Sequence, residues 1–274
     1  MTDFFHQAFT KIKIGDYEID APEKHLLLNL LPVQPYRDQC VGVSAGFFSK
    51  KYPDSLIIDV GANIGDTAAI VSTYSNNELL LIESSDYYFD ILEANSSKFK
   101  NNVTLKKIFI ADGSQVSGYL YHWGGTAYFK AEENGVNIKT ERLCDLTKNK
   151  VCFVKLDTDG FDFDIILDSV KWFSQVKPGI LFENQIRNAH DLAQADLVFD
   201  KLFEIGYTHF IVWDDPGFHL LSTSSIKDLK QLNRYLFKVW EREGYRTICN
   251  YDVLCIHEND HEIYDSLCKY YENY

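Results

Sequence analysis

The chain has 274 residues, 46% of them hydrophobic and 15% aromatic, and 27 Lys and Arg against 40 Asp and Glu give a formal net charge of −13. The apolar share suffices to bury a sheet between helical layers, which predicts a soluble globular protein with one core, and the acidic balance argues against nucleic acid as the main partner, because phosphate binding relies on basic patches. No run reaches the length of a membrane span, and the start Met1-Thr2-Asp3-Phe4-Phe5-His6-Gln7 lacks the basic region of a secretory signal, so the expected location is cytoplasmic.

Six cysteines (Cys40, Cys144, Cys152, Cys249, Cys255, Cys268) show no C-x-x-C pair and no zinc-site spacing, and read as reduced structural thiols. In chain order, Lys11 to Ile19 alternates like a small hairpin and Leu26 to Leu31 reads as helical. Residues 1–54 are expected to form an extension packed on a core that spans residues 55–274. From Leu56 the chain falls into a rhythm of apolar run, polar turn and helix-length stretch, the mark of a parallel sheet. Strands are predicted near Leu56 to Val60, Glu78 to Glu83, Leu105 to Ala111, Val151 to Asp157, Gly179 to Glu183, His209 to Trp213 and Tyr251 to His257. Helices are predicted over Asp66 to Ser75, Asp86 to Lys98 and Phe163 to Phe173. Gly113 to Lys150 is too long for a plain crossover, and part of it, around Tyr119-Leu120-Tyr121-His122-Trp123-Gly124-Gly125, is expected to loop over a ligand. A second insertion, Asp214 to Asn250, carries a predicted helix from Ser225 to Glu243 with Leu229, Leu232, Leu236 and Val239 on one face.

The most informative stretch is Leu56-Ile57-Ile58-Asp59-Val60-Gly61-Ala62-Asn63-Ile64-Gly65-Asp66-Thr67, an apolar strand running through a two-glycine turn into a helix. A dinucleotide loop reads G-x-G-x-x-G and seats a pyrophosphate on the helix N-terminus. Here the spacing is G-x-x-x-G with Asn63 and Asp66 inside the turn, which suits a cationic, phosphate-free cofactor such as S-adenosylmethionine.

In an open parallel sheet the ligand lies beyond the carboxyl ends of the strands. Nearly every predicted strand ends there in an acid: Asp59, Glu83, Asp112, Asp157 with Asp159, Glu183, and Asp214 with Asp215. Glu83, roughly twenty residues past the glycine turn, is placed to accept hydrogen bonds from ribose hydroxyls, with Ser84 beside it. Asp112 either meets an adenine amino group or forms an ordinary Asp-Gly turn. Lys155, inside an apolar strand, needs a partner, and Asp157 and Asp159 are the nearest acids in sequence.

At this point the chain resembles the FkbM family of S-adenosylmethionine-dependent methyltransferases. The resemblance covers about half of the chain, from Ser55 to Gln185: the glycine turn, Glu83, Glu141-Arg142-Leu143-Cys144-Asp145-Leu146, the block Lys155 to Gly160, and Leu181-Phe182-Glu183. Many members have glutamate where this chain has Asp159, and threonine-leucine-aspartate-aspartate where it has Arg142 to Asp145. The segments Ala21-Pro22-Glu23-Lys24-His25, Tyr36-Arg37-Asp38 and Lys51-Tyr52-Pro53-Asp54 look like those of glycan-modifying members. The resemblance implies a class I methyltransferase (Rossmann-like) α/β fold, with a seven-stranded, mostly parallel sheet and helices on both faces. It also implies O-methylation, often of sugars in surface polysaccharides or glycoconjugates.

On this reading Asp59, Gly61, Asn63, Gly65, Asp66, Thr67, Glu83, Ser84, Asp112 and Asp157 are the cofactor-binding candidates. A hydroxyl is a poor nucleophile unless its proton is removed as the new bond forms, and Asp157, Asp159, Glu183 and His122, with Lys155 among them, are the catalytic candidates. A magnesium ion held by Asp157, Asp159 and Glu183 or Asp214 is a second way to acidify the hydroxyl. His25, His190, His209 and His219 read as structural, and Trp213 is a candidate aromatic face beside the acceptor. The acceptor is expected to be a glycan or another hydroxyl-bearing small molecule, with oligomeric state left open. The competing readings are a nicotinamide-dependent sugar oxidoreductase, disfavoured by the glycine spacing, and a catalytically silent cofactor-binding module.

Overall fold

The computed structural model describes residues 8–241, 248 and 250–272. In chain order its elements are β1 (Phe9–Ile14), β2 (Tyr17–Pro22), α1 (Leu27–Leu30), α2 (Gln39–Lys51), β3 (Leu56–Val60), α3 (Asp66–Tyr74), β4 (Leu79–Ile82), α4 (Asp86–Ser96), β5 (Val103–Lys106), β6 (Phe109–Ile110), β7 (Gln115–Trp123), β8 (Thr126–Ala131) and β9 (Val136–Glu141). They continue with β10 (Val151–Leu156), α5 (Asp162–Val176), β11 (Gly179–Gln185), α6 (Ala189–Glu204), β12 (Tyr207–Asp214), β13 (His219–Thr223), α7 (Ile226–Glu241), β14 (Asn250–His257) and α8 (His261–Glu272). Among the described residues no helix is long and apolar enough to cross a membrane.

The main sheet runs β13-β12-β14-β11-β10-β3-β4-β5. β11, β10, β3, β4 and β5 are mutually parallel, whereas β14 is antiparallel to both of its neighbours and β13 to β12. The α/β sheet expected from the sequence is therefore present, with eight strands rather than seven, because the turn after β12 folds β13 back as an edge hairpin. Strand order reverses between β3 and β10, and that point opens a crevice at the carboxyl ends.

Both faces of the sheet are covered, which is why its strands read as nearly unbroken apolar runs. Ile57, Leu79, Leu81, Phe153, Leu181 and Ile211 face α2, α3, α4 and α8, while Leu56, Ile58, Leu80, Val154, Ile180 and Phe182 face α5, α6 and α7. Helix α2 was not anticipated, because Cys40 to Gly46 are buried on all sides and leave no amphipathic period to read. Gly42 lets it lie tight on α3: a Cβ there would come within 2.4 Å of the Ile70 side chain. The helix predicted over Ser225 to Glu243 is α7, with Leu229 and Leu236 buried; residues 242 and 243 and Cys249 lie outside the described residues. The other five cysteines are free.

Two expectations are corrected. The single strand Leu105 to Ala111 is split: β5 stays on β4, and after Lys106-Lys107 the chain leaves the sheet so that β6 pairs with β9. The segment of which part was expected to loop over the ligand is mostly β-structure, a second sheet of order β6-β9-β7-β8, and only the turn between β7 and β8 lies over the crevice at the carboxyl ends. Its period-two pattern is visible in Tyr119, Tyr121 and Trp123, which are exposed, against the half-buried Leu120 and His122 between them.

Candidate active site

At the reversal of strand order lies a cavity of about 260 Å³, walled by the ends of β3, β4, β10 and β11, by residues 25–38 and by the turn between β7 and β8. Its floor is the turn after β3. Gly61 (φ 79°) lies so close to β10 that a Cβ would be 1.8 Å from the Asp157 carbonyl oxygen, so only glycine fits. The N–H groups of Gly61 and Ala62 both reach the Ile82 carbonyl at 2.9 Å. Asn63 (φ 47°) donates its backbone N–H to Glu83 Oε2 at 2.9 Å, and the Ser85 N–H donates to Glu83 Oε1 at 2.7 Å. One buried carboxylate thus braces the turns that follow β3 and β4. Burial pushes Glu83 up to about 7, with those N–H bonds opposing.

Lys155 stands at the centre of the polar wall. Its Nζ is 3.2 Å from Asp59, 3.4 Å from Asp157 and 3.1 Å from the Gly61 carbonyl. Burial works against its charge, and Asp59, Asp157, Asp66 and Asp38 outweigh it, so the group stays an ammonium. The principal partner is Asp59, its register neighbour on β3, and not Asp159; only strand pairing could reveal that. Six carboxylates line the cavity (Asp38, Asp66, Glu83, Asp157, Asp159, Glu183) against two cations, Lys155 and Arg37. Burial pushes Asp66 and Asp159 up to about 6, and drives Glu183 far above the usual range with Asp157 and Asp162 adding to it.

The opposite wall comes from the N-terminal segment. Arg37 is clamped by both Asp215 oxygens at 3.0 and 2.9 Å, and burial pushes the neighbouring Asp38 up to about 7. His25 packs over Gly125, and burial lowers its basicity. The β7–β8 turn roofs the cavity: the Leu26 N–H donates to the Gly124 carbonyl at 2.9 Å, Asn63 Nδ2 to the Gly125 carbonyl at 2.8 Å, and the Thr126 hydroxyl to Asp159. Ile82, Ile108, Phe109, Leu120 and Phe129 supply an apolar end. Among the described residues four non-glycines have positive φ; Lys177 caps α5, and the other three, Asp38, Asn63 and Asp159, all line this cavity.

Of the residues singled out from the sequence, Gly61, Asn63, Asp66, Thr67, Glu83, Ser84, Lys155, Asp157, Asp159 and Glu183 are on the cavity wall. Five are not. Asp59 lies one layer behind, accepting from the Thr67 hydroxyl at 2.6 Å and pairing with Lys155. Gly65 caps α3, with space for a Cβ limited by Leu92 and Phe99. Asp112 is exposed and closes its own turn through the Ser114 N–H at 2.9 Å. His122 sits over the start of α4, its Nε2 2.7 Å from the Ser85 hydroxyl and its ring against Tyr87 and Tyr88. Asp214 accepts the Phe218 N–H at 2.7 Å within a turn. Trp213, read as a candidate acceptor face, is fully buried. Among the described residues no three acids, histidines or cysteines are grouped to hold a metal, so the magnesium site drawn from Asp157, Asp159, Glu183 and Asp214 is not assembled.

Sequence reasoning left Arg37, Asp38, Thr126 and the apolar end out of the site. In the sequence Tyr36-Arg37-Asp38 stands out only through the family resemblance, and Gly124-Gly125 is the local sign of a close backbone approach.

No protein-family model and no curated protein matches the chain. Solved structures similar to it include a precorrin-6y C5,15-methyltransferase from Geobacter metallireducens, 14% identical over 75% of this chain and 81% of that one, with a TM-score of 0.37. A methyltransferase FkbM from Methylobacillus flagellatus is 12% identical over 73% of this chain and 43% of its own, with a TM-score of 0.38. An rRNA methylase from Streptococcus thermophilus is 8% identical over 78% and 93%, with a TM-score of 0.41. At these identities and scores the likeness says nothing of activity or acceptor.

Proposed function

We propose that the chain is an S-adenosylmethionine-dependent O-methyltransferase acting on a hydroxyl, with a sugar of a surface polysaccharide or glycoconjugate as the acceptor class. The observation that carries this reading is the donor set of the cavity: six carboxylates against two cations, crowded so that burial and mutual repulsion raise several of them toward neutrality. Such a wall has unmet affinity for a positive charge and repels a pyrophosphate. The residues fit the cofactor. Glu83 would accept the ribose hydroxyls, Asp66 and Asp157 would face the charged end, and Ile108, Phe109 and Leu120 would enclose the adenine.

Bound there, the sulfonium supplies an electrophilic methyl group. The protein's own part is positioning and proton removal. Asp159, pushed up to about 6 and lining the cavity, is ionised at neutral pH and close to the working range of a general base. Thr126 holds it in place through its hydroxyl. Lys155 pairs with Asp157 and Asp59 and, held as an ammonium by the acids around it, cannot serve as a base itself.

Calorimetry with S-adenosylhomocysteine and with NAD, followed by transfer from labelled S-adenosylmethionine to glycan extracts, tests the proposal. Binding of the first ligand without the second, with label transfer, is expected. NAD binding alone would favour a sugar oxidoreductase, and cofactor binding without turnover on any acceptor would favour a silent binding module.

A further inference from the structure

A second cavity, of about 810 Å³, opens on the other side of the Thr126–Asp159 hydrogen bond. The two cavities share Trp123, Thr126, Phe129 and Asp159, so one carboxylate faces both spaces. The outer cavity adds Tyr128, Gln185 and Arg187. Trp123 is 73% exposed, and Tyr128, 41% exposed, stacks its ring on Tyr121 with centroids 5.8 Å apart; aromatic surface as open as that of Trp123 is unusual beside a site unless something flat covers it.

Arg187 is the charged member of this groove. Its backbone N–H donates to Asp191 Oδ2 at 2.9 Å, and its Nε stands 3.7 Å from the same oxygen, which anchors the base of the side chain. The guanidinium lies over Gly160 (φ 132°), where a Cβ would come within 2.9 Å of Nη2. Among the described residues the guanidinium makes no hydrogen bond, its one ion pair being the Nε–Asp191 contact, and its side chain is 40% exposed, so both Nη groups have donors to spare. A fixed arginine fork with unfilled donors matches the two oxygens of a carboxylate or phosphate. In a chain of net charge −13 an anion gains nothing from the general field, so a cation at this one place has local meaning.

We infer that the outer groove is the acceptor subsite and that it takes an anionic sugar, one bearing a carboxylate or a phosphate. Arg187 holds the anion, Trp123 and Tyr128 cover a ring face, and a hydroxyl of the sugar reaches Asp159 at the shared wall. The inference rests on the methyltransferase reading for the reaction but not for the binding.

The test is ligand-observed NMR on the full chain saturated with S-adenosylhomocysteine, using glucuronate, glucose 6-phosphate and glucose as probes. At least one anionic sugar should bind tenfold or more tighter than glucose, and the stronger of the two tells which anion is preferred. Arg187→Gln should reduce that preference to within threefold while leaving S-adenosylhomocysteine affinity within twofold, and Arg187→Lys should recover part of it. Equal binding of all three sugars, binding of none, or a preference that survives Arg187→Gln would overturn the inference. If S-adenosylhomocysteine itself does not bind, the cofactor reading fails, whereas normal cofactor binding with no anion preference removes this inference alone.

Discussion

Lys155 and Asp59 face each other across the β10–β3 register at 3.2 Å, both almost sealed from solvent at the point where the strand order reverses. A buried charge pair adds little to stability compared with apolar residues of the same size, but breaking it leaves one charge stranded. Here the pair also fixes the two strand ends, since Lys155 reaches the Gly61 carbonyl as well.

Lys155→Met should therefore destabilise the protein by about 3–5 kcal/mol, the cost of stranding a buried charge. Adding Asp59→Asn should return part of that loss. Urea unfolding of the two single variants and the double variant measures the coupling; strictly additive effects would show that the pair does not act as a unit.

Gly61→Ala should cost at least about 2 kcal/mol, combining a steric clash with the Asp157 carbonyl and an unfavourable φ. Gly124→Ala is the internal control: its φ is also positive, but nothing lies within 4 Å of its Cβ, so about 1 kcal/mol is expected. Thermal denaturation of both variants, side by side, decides whether close approach or backbone angle dominates.

Acidity offers a third check. Glu83, Asp38 and Asp162 are pushed up to about 7, above their values in the unfolded chain, so the folded state holds more protons and stability should rise as the pH falls from about 8 to about 7. Below about 6.5 the histidines act in the opposite direction, because burial keeps His25 and His122 neutral in the fold while the unfolded chain protonates them. Cofactor affinity should run the other way from the first trend, weakening as Glu83 and then Asp66 gain protons between pH 7 and 6. Scanning calorimetry and titration calorimetry across that range measure the two trends; a cofactor affinity flat with pH would remove the carboxylate wall from the binding account.

Asp159→Asn separates binding from chemistry. The amide keeps the size of the side chain and can still accept the Thr126 hydroxyl, so S-adenosylhomocysteine affinity should change by no more than about threefold, while loss of a general base should lower kcat by about 10²–10⁴. Glu83→Gln should do the reverse and weaken cofactor binding by about 10- to 100-fold, the worth of a charge-assisted hydrogen bond. A single-turnover assay on each variant distinguishes the two outcomes.

The parallel sheet was legible because its strands are buried on both faces and carry continuous apolar runs: Leu56 to Val60 and Val151 to Leu156 need no context to be read as strands. The glycine turn and Glu83 were legible for a related reason, since their spacing follows from one strand, one turn and one helix in succession. Helix α2 and the β6–β9 sheet were less so. The first is buried on all sides over Cys40 to Gly46 and shows no period there, and the second alternates across half-exposed strands that polar residues interrupt.

By itself the sequence determined the α/β alternation, the tight turn at Gly61 and the row of acids at the strand ends, because these depend on local backbone geometry and on residues close together in the chain. Tertiary structure alone decided which acids share a space. Register placed Asp59 rather than Asp159 against Lys155, chain reversal brought Arg37 and Asp38 to the cavity, and the second sheet carried Thr126 to Asp159 while turning His122 and Asp112 away. Those outcomes depend on pairing and packing between segments far apart in the chain, which no local pattern encodes.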